Sequence, residues 1–518
     1  MNLLTSQDLI DAGYEPGLQF KDLLAKIAEY EARGIADAKY TLKLLKRDVA
    51  PPPVKYVMRE KSAPLAEAIE AKTKEERTNV ELVRKKMHEL LKTPVIARGA
   101  IMPDACPIGG KEPAVIPVGG AIAVENAIIP SAHSADICCS MFATFYEERS
   151  SVPKEIDALM TSTRFGPEHR HLDDLIHDPV LDENVWLNRF LTGLRDRAGT
   201  QIADQGDGNH FAFLGEVDVD AAMLAMLRLT GHGDLADRFV LPPEGTRRYR
   251  VLVTHHGSRS LGAHVYRRGQ IAAEKHVARK AQHIPAAAAW LDASSDSGRD
   301  YWHALQYVAR WTKANHRAIH RRFLERIGSH SVAEVGNEHN FVWQRGDTYY
   351  HGKGATPAWK DEQGRPQLGL IPLNMAEPIL LVLGGDREDF LSFAPHGAGR
   401  NLSRTALRKQ FPDESSRRTA IERGTAGLDV RWFCGRPDLS ETPVAYKNAA
   451  QVKEQIRHFG LAEIVAEIRP LGCIMAGASD RSWRDREEEL TPKQKRQIEH
   501  RAERRRVHQD LRDETEGR

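Results

Sequence analysis

Five side chains of types that bind transition-metal ions lie in four separate stretches, beside small or polar residues rather than in apolar stripes. They are Asp136 and Cys139 in SADICCSM, His210 in DQGDGNHF, His255 in VLVTHHGSRSLG and His339 in EVGNEHNFVW. A carboxylate, a thiolate and three imidazoles suit a divalent ion such as zinc or manganese, and Asp and Cys can bridge two ions. A lone histidine is often only a hydrogen-bonding residue, and a buried cysteine a small apolar one. The residues alone leave both interpretations open.

Three turns that combine small residues with a basic side chain are candidates for phosphate binding. Ser258 and Arg259 follow the paired histidines of the third stretch, Lys353 opens KGATPA, and Arg400 lies in HGAGR. Backbone N–H groups and a cationic side chain can converge on a phosphate in such turns. The alternative is a tight turn with a solvent-facing charge. Beside candidate metal ligands, the three turns favour a phosphate-handling site.

The elements that must position these residues are mixed. Thr5 followed by Asp8 predicts a capped helix, and apolar residues at helical spacing predict a second helix that ends before Gly34. A helix is expected around Val80 to Leu91, and another from Tyr301 to about Ile327 whose apolar stripe belongs in a core. Short strands are expected in 114–124 and 249–254.

Composition restricts the class of protein. The chain has 518 residues, 28% of them charged, and a net charge of +2, so a nucleic-acid partner would have to be held by local basic patches. Five cysteines, two of them adjacent, do not form a disulfide framework, which favours a reducing cytoplasm. No apolar run reaches the roughly 20 residues needed to cross a bilayer. We expect a cytoplasmic protein without a membrane partner.

The predicted domain organisation has four parts. Residues 1–50 form a small helical accessory module, 51–75 a linker that begins at three prolines, 76–480 a catalytic domain and 481–518 a charged tail. Thr491-Pro492 in the tail is typical of a helix start, and the tail is interpreted as a solvated helix. Its run RAERRRVHQ offers contact with RNA as the alternative.

An ordered set of motifs resembles one known family. DICC, GDGNHF, HHGSRSLG, EHN, KGA, HGAGRNLSR, AYK and RPLG occur in this order, and the similarity runs from about Ile96 to about Gly477. Together they resemble the RtcB family of RNA ligases, which join an RNA 3'-phosphate to a 5'-hydroxyl. The resemblance implies a single large α+β domain around a dinuclear metal centre, which uses two Mn²⁺ ions and GTP.

The resemblance also assigns roles to residues. The metal ligands would be Asp136, Cys139, His210, His255 and His339, with Cys139 bridging the ions. Residues matching nucleotide-binding positions are Asn209, Phe211, Asn374, His396, Gly397, Gly399, Arg400 and Tyr446. Ser258, Arg259 and Lys353 would contact phosphate or RNA, and Asn340 follows a ligand as it does in the family.

His396 matches the histidine that becomes covalently guanylylated. A nucleophilic imidazole must reach the α-phosphate in line with the departing pyrophosphate, so it needs small neighbours, and Gly397 and Gly399 are expected to leave that room. Arg400 and the metal ions would offset charge on the phosphoryl oxygens. A structural histidine in a turn is the alternative.

Several positions depart from the family pattern. Phe213 replaces a glutamate that reads the guanine base, and Met475 lies where a lysine close to the base is usual. Asn374-Met375 replaces a serine-methionine pair, and Cys138 replaces the glycine of DIGC. Because a site that hydrogen-bonds a base rejects others strongly, these changes leave the nucleotide open between GTP bound differently and another such as ATP.

Three functions remain in competition. The first is an RNA ligase for 3'-phosphate or 2',3'-cyclic phosphate ends of tRNA or damaged RNA, through a covalent histidine-nucleotide intermediate. The second is a nucleotidyl-capping or phosphoesterase enzyme acting on 3'-phosphate ends, and the third a non-catalytic RNA-binding protein. The N-terminal segment is also similar to a helical part of tRNA nucleotidyltransferases, although an ordinary helical accessory fits it equally well.

Overall fold

The computed structural model describes residues 3–478 apart from 15–16, 18, 52–55, 108–113, 167, 244 and 403. The charged tail predicted for 481–518 lies outside the described residues. Within them, helices and strands alternate along the chain, and the prediction of a mixed helix and sheet protein is confirmed. None of the helices in these residues has both the length and the apolarity that a membrane span requires.

The α-helices are α1 (Ser6–Asp11), α2 (Gln19–Ala32), α3 (Ala38–Asp48), α4 (Lys74–Leu90), α5 (Val152–Ser162), α6 (Arg195–Gly199), α7 (Ala221–Leu229), α8 (Gly233–Ala236), α9 (Arg259–Ala278), α10 (Asp296–Ile327), α11 (Arg404–Gln410), α12 (Glu414–Gly424) and α13 (Ala449–His458).

The β-strands are β1 (Tyr56–Val57), β2 (Leu65–Glu67), β3 (Ile96–Cys106), β4 (Val118–Glu125), β5 (Ala127–Ile128), β6 (Ser140–Tyr146), β7 (Arg164–Phe165), β8 (Asp204–Gly206), β9 (Phe211–Val219), β10 (Arg247–His256), β11 (Ala281–Gln282), β12 (Leu291–Asp292), β13 (Ala333–Glu338), β14 (Asn340–Arg345), β15 (Thr348–Lys353), β16 (Ala355–Pro357), β17 (Leu368–Ile371), β18 (Ile379–Gly384), β19 (Phe393–Pro395), β20 (Asp429–Trp432) and β21 (Ala462–Met475).

Helices α1 to α3 share a small core of their own. The predicted cap of α1 is present as a capping box, in which Thr5 and Asp8 satisfy each other's backbone N–H groups. Leu23, Ile27 and Tyr30 of α2 are buried in this core, as their spacing predicts. Helix α3, which the sequence analysis does not identify, begins at an Asp37 cap and buries Leu45 in the same core.

The segment predicted as a linker at 51–75 contains regular structure. Strand β2 pairs in parallel with β3, Leu65 opposite Gly99, so this part of the segment belongs to the five-stranded sheet. Helix α4 starts at Lys74, earlier than expected, because Thr73 and Glu76 form a capping box. The predicted boundary at 75/76 therefore falls inside α4, and the division into module, linker and domain stays a prediction.

Two sheets and a long helix form the main core. The eight-stranded sheet has the order β13-β6-β10-β9-β21-β18-β17, with β20 beside β21, and the five-stranded sheet has the order β14-β15-β4-β3-β2. Helix α10 packs against α5, α9 and β10 through the predicted apolar stripe, in which Leu305, Val308 and Trp311 are fully buried. Burying each such side chain stabilises the fold by roughly 1.5–3 kcal/mol.

One edge of the eight-stranded sheet collects residues that are distant in sequence. Strands β13, β6, β10, β9 and β21 run alternately up and down, so the end of β13, the start of β6, the end of β10, the start of β9 and the end of β21 meet there. The register confirms it: His255 lies opposite Met141 on one side and Phe211 on the other.

Candidate active site

The five predicted metal ligands converge at this sheet edge. Ligand atoms of Asp136, Cys139 and His210 all lie within 4.8 Å of one another, and so do those of Cys139, His255 and His339. Cys139 belongs to both groups. We call these five residues the donor cluster. Each of the two groups has the ligand types and spacing that could hold a transition-metal ion.

The loop before β6 is held in place by backbone contacts. Cys138 donates its N–H to the carbonyl oxygen of Asn340 (2.7 Å), and His339 donates to the carbonyl oxygen of Cys139 (2.9 Å). Cys138 adopts a left-handed backbone with φ of 57°, a conformation that costs a non-glycine residue about 1–3 kcal/mol. This conformation explains why glycine suits the position, and the replacement by cysteine adds strain beside a ligand.

Second contacts fix the tautomers of two histidines. His210 donates from Nδ1 to the carbonyl oxygen of Gln205 (2.8 Å), and His255 from Nδ1 to that of Asn209 (3.1 Å). Their Nε2 lone pairs therefore point into the cluster, His210 toward Asp136 Oδ2 (2.9 Å) and His255 toward Cys139 Sγ (3.2 Å). Backbone carbonyls orient metal-binding histidines in the same way in other proteins.

The charge state of the cluster also fits a cation. Nε2 of His255 lies 3.1 Å from Nε2 of His339. When His339 carries its proton on Nδ1, the two Nε2 lone pairs face each other, and a cation between them would relieve their repulsion. Burial lowers the pKa of His255 to about 3 and holds the pKa of His339 well below its ordinary value, which keeps both imidazoles neutral, as metal ligands must be. The residues present therefore fit a metal site.

His396 lies immediately after β19, beside the donor cluster. Its ring centroid is 4.9 Å from that of His339. Its Nδ1 lies 2.5 Å from Oδ2 of Asp104, a carboxylate on β3 that is fully buried. When Nδ1 donates to this carboxylate, the Nε2 lone pair is left free to attack an electrophile. Asp104 is absent from the residues predicted from the sequence.

The strand that carries Asp104 is clamped to the His396 loop. Lys447 donates from Nζ to the carbonyl oxygens of Pro103 (2.8 Å) and Ala105 (2.7 Å), on either side of Asp104. Gly399 has a φ of +72°, and a Cβ there would lie 2.0 Å from the Asp104 carbonyl oxygen. This glycine therefore admits β3 at close range, and its expected role in leaving room for a ligand stays a prediction.

A cavity of about 320 Å³ opens beside His396. Its lining includes every predicted nucleotide-binding residue, namely Asn209, Phe211, Asn374, His396, Gly397, Gly399, Arg400 and Tyr446. Lys353 and four members of the donor cluster also line it, whereas the fifth member, His210, does not. The residues that the sequence analysis groups by motif thus surround one space.

Two basic side chains of the cavity are held differently. Lys353 is partly buried, and the loss of solvation around its ammonium group lowers its pKa to about 8. Arg400 donates to Oε1 of Glu441 (2.6 Å) and lies over the ring of Tyr446, whose hydroxyl donates to Oε2 of the same carboxylate (2.8 Å). Glu441 thus fixes both Arg400 and Tyr446, although no motif singles it out.

Contrary to expectation, neither Ser258 nor Arg259 of the HGSR turn lines the cavity. Ser258 is fully buried, and its hydroxyl donates to the carbonyl oxygen of Ile137 (2.6 Å). The hydroxyl proton of Ser258 is thus already used, and contact of Ser258 with phosphate stays a prediction that this hydrogen bond does not favour. Arg259 donates to the carbonyl oxygen of Gly166 (2.6 Å) and does not line the cavity, so its contact with phosphate or RNA stays a prediction.

Comparison with known proteins gives one family. A model of the RtcB family, described as tRNA-splicing ligase RtcB, matches residues 185–476. The chain is 26% identical to RNA-splicing ligase RtcB2 of Escherichia coli over 79% of its own length and 96% of that protein. It is 25% identical to tRNA-splicing ligase RtcB of Thermococcus kodakarensis over 72% of its length and 86% of that protein. With RNA-splicing ligase RtcB of Mycobacterium tuberculosis it shares 28% identity over 61% of its length and 76% of that protein.

Proposed function

The chain belongs to the RtcB family, and from this premise we propose that it is an RNA ligase that joins 3'-phosphate or 2',3'-cyclic phosphate ends to 5'-hydroxyl ends through a histidine-nucleotide intermediate. RNA ligation is what the family supports. The single observation that carries the histidine chemistry is the position of His396, beside the donor cluster with Nδ1 on Asp104.

Asp136, Cys139, His210, His255 and His339 would hold two Mn²⁺ ions, with Cys139 shared between them. When bound, the ions would supply positive charge next to the phosphoryl oxygens of the nucleotide and the RNA end.

His396 performs the covalent step. Its Nε2 forms a bond to the α-phosphorus of a nucleoside triphosphate, and the bond between that phosphorus and the pyrophosphate oxygen breaks. The ring then carries a positive charge, which Asp104 stabilises while it retains the proton on Nδ1. Without the carboxylate, this charge would develop in a buried place without a partner.

The nucleotide then passes to RNA. An oxygen of the RNA 3'-phosphate attacks the same phosphorus and displaces Nε2, which returns His396 to its neutral form. The 5'-hydroxyl of the second RNA attacks the activated 3'-phosphate, the nucleoside monophosphate leaves, and the hydroxyl proton passes to solvent. Lys353 and Arg400 line the cavity where these phosphates would lie, and they offset charge on the phosphoryl oxygens.

The test is to mix the purified protein with manganese and each α-labelled nucleoside triphosphate, with and without RNA ends. We expect an acid-labile adduct that is lost in His396→Ala, together with joined RNA. His458→Ala, at an exposed histidine outside the cavity, is the matched control and should keep the adduct.

A second candidate is nucleotidyl capping of 3'-phosphate ends without joining. It is favoured by the apolar residues Phe213 and Met475, which replace the family's base-contacting groups and line the cavity. An adduct that yields only capped RNA would support it over ligation. If no nucleotide forms an adduct, the function as a non-catalytic RNA-binding protein is favoured instead.

A further inference from the structure

The cavity has two chemically different halves. His396, Lys353, Arg400 and the donor cluster form one half, which we call the polar half. The other is built from apolar side chains and is called the apolar half: Phe211, Phe213, Met375, Ile379, Cys473 and Met475. A triphosphate belongs with the cationic and metal-binding groups of the polar half. The base is the part of a nucleotide whose faces suit the apolar half.

Pairing between β9 and β21 builds the apolar half. Phe211 lies opposite Met475 and Phe213 opposite Cys473, and residues two apart on a strand share one face. The ring centroid of Phe211 lies 5.2 Å from that of His255, so the apolar half begins directly beside the donor cluster. A base stacked there would keep its α-phosphate close to His396.

The Phe213 ring is fixed by its own strand. A Cβ at Gly215 would lie 2.6 Å from Cε1 of Phe213, so the glycine at this position lets the ring lie flat along β9. Phe213 is 1% exposed, Cys473 1% and Met475 3%, which makes this wall dry and closely packed. Its shape is set by the fold and requires no ligand.

Few groups in the cavity could read the edge of a base. Among the described lining residues, the carboxylates are Asp136, in the donor cluster, and Glu441, which accepts hydrogen bonds from Arg400, Arg404 and Tyr446. Lys353 is the one lysine of this lining, and it lies in the polar half. Asn374 already accepts from the backbone N–H of Ala376 (2.9 Å) through Oδ1, so its side-chain amide is left as a donor.

We propose that the apolar half accepts adenine and guanine alike, so that the protein uses purine nucleoside triphosphates without discriminating between their bases. Strong discrimination needs polar groups that the wrong base leaves unpaired, and no carboxylate or ammonium in this lining remains for guanine. The Asn374 amide can donate to O6 of guanine or to N1 of adenine. The partly exposed ring of Phe211 and the polarisable methionines suit either purine, whereas a pyrimidine covers less of them.

The proposal rests on the proposed function, because it assumes that a nucleotide reacts at His396. Two measurements on the full-length protein with manganese separate the two ideas. The first is kcat/KM for adduct formation with ATP and with GTP. The second is equilibrium dialysis with the α,β-methylene analogues of ATP and GTP, in which the α-phosphorus cannot release pyrophosphate and no adduct forms.

We expect kcat/KM for adduct formation to differ by less than about tenfold between ATP and GTP, and the dissociation constants of the two analogues to differ by no more than that. Tenfold corresponds to about 1.4 kcal/mol. CTP and UTP should give lower values of kcat/KM. A preference above tenfold for either purine overturns the proposal, whatever the RNA product. Equal binding of the two analogues without any adduct would uphold it while refuting the histidine chemistry. If neither analogue binds, both the histidine chemistry and the purine proposal are wrong.

A pair of variants sharpens the test. Phe213→Glu combined with Met475→Lys places the groups typical of the family on this wall, and the GTP to ATP ratio should rise about a hundredfold. Phe213→Leu combined with Met475→Leu is the matched control, because it keeps the wall apolar, and it should retain the wild-type ratio within about tenfold. A strong purine preference in the leucine pair would contradict the proposal even if the charged pair does not fold.

Discussion

The polar and apolar halves of the cavity are held in place by different forces. In the polar half three imidazoles have a partner that fixes their orientation: the Gln205 carbonyl for His210, the Asn209 carbonyl for His255 and the Asp104 carboxylate for His396. In the apolar half, position follows from strand pairing and packing, as for Phe211 opposite Met475. Hydrogen bonds fix a direction, which the transfer of a phosphoryl group requires, whereas packing fixes only a volume. Changes in the polar half should therefore reduce kcat, and changes in the apolar half should act on KM.

Apart from the loss of the nucleophile in His396→Ala, the largest effect is expected from Cys139→Ala, because its sulfur is the atom shared by both ligand groups. Loss of the shared ligand removes the charge that would offset the phosphoryl oxygens, so adduct formation should fall by at least about a thousandfold. Quenched labelling with an α-labelled nucleotide measures the rate, and elemental analysis measures bound manganese. Cys434→Ala, at an exposed cysteine outside the cavity, is the control. Retention of one tenth of the wild-type rate in Cys139→Ala would contradict the shared site.

Asp104→Asn tests whether orientation matters in the polar half. An asparagine of the same size can present its NH₂ to Nδ1 and favour the wrong tautomer, which places the proton on Nε2. The rate of adduct formation should fall about a hundredfold or more while KM for the nucleotide changes little. Single-turnover kinetics over a range of nucleotide concentrations separates the two quantities. Asp173→Asn, at an acid that is 91% exposed, should leave both unchanged. If KM for the nucleotide rises while the rate of adduct formation is unchanged, Asp104 contributes to nucleotide binding and not to the orientation of His396.

The two halves were also unequally visible in the sequence. The donor cluster and His396 stand in short motifs that resemble those of the RtcB family, so this resemblance could single them out before any geometry was known. Asp104 could not, because it is one acidic residue among 72 and meets His396 across 292 positions of the chain. Glu441 and Lys447 share this property: their roles depend on which backbone and side-chain atoms the fold brings to them. Partners supplied by long-range packing leave no local pattern.

Helices were predictable to the extent that their signals are local. The apolar stripe of α10 and the capping box of α1 predict these two helices directly. The start of α10 is less predictable, because the helix begins at Asp296, earlier than its stripe suggests, where Ser295 caps it. Gly399 and Ser258 also have structural roles that their motifs do not reveal. The fold uses the glycine to admit β3, and the Ser258 hydroxyl donates to the carbonyl oxygen of Ile137.

Met475→Ala tests the apolar half with a smaller expected effect on chemistry. Truncation removes contact surface for a base, so KM for ATP and for GTP should both rise, by about tenfold, with kcat within about threefold of wild type. Because Met475 is 3% exposed, the variant should also lose roughly 2–5 kcal/mol of stability, visible as a lower thermal midpoint. Met475→Leu nearly conserves the side-chain volume, so its KM values and its thermal midpoint should both lie close to those of the wild type. A fall in kcat without a change in KM would show that the halves do not divide binding from chemistry.

The smallest effect is expected from Ser258→Ala, which asks where the polar half ends. The Ser258 hydroxyl donates to Ile137 beneath the donor cluster and does not reach the cavity, so it serves the fold and not the substrate. Losing one buried hydrogen bond should cost about 1–3 kcal/mol of stability, since the Ile137 carbonyl is left without this donor. KM for the nucleotide, measured at a temperature where the variant stays folded, should remain within about twofold. Ser258→Thr is a poor rescue, because its extra methyl has no space: a Cβ at Gly262 would already lie 1.8 Å from Ser258 Oγ. A rise in KM of tenfold or more with unchanged stability would show that Ser258 binds phosphate and that the polar half includes the HGSR turn.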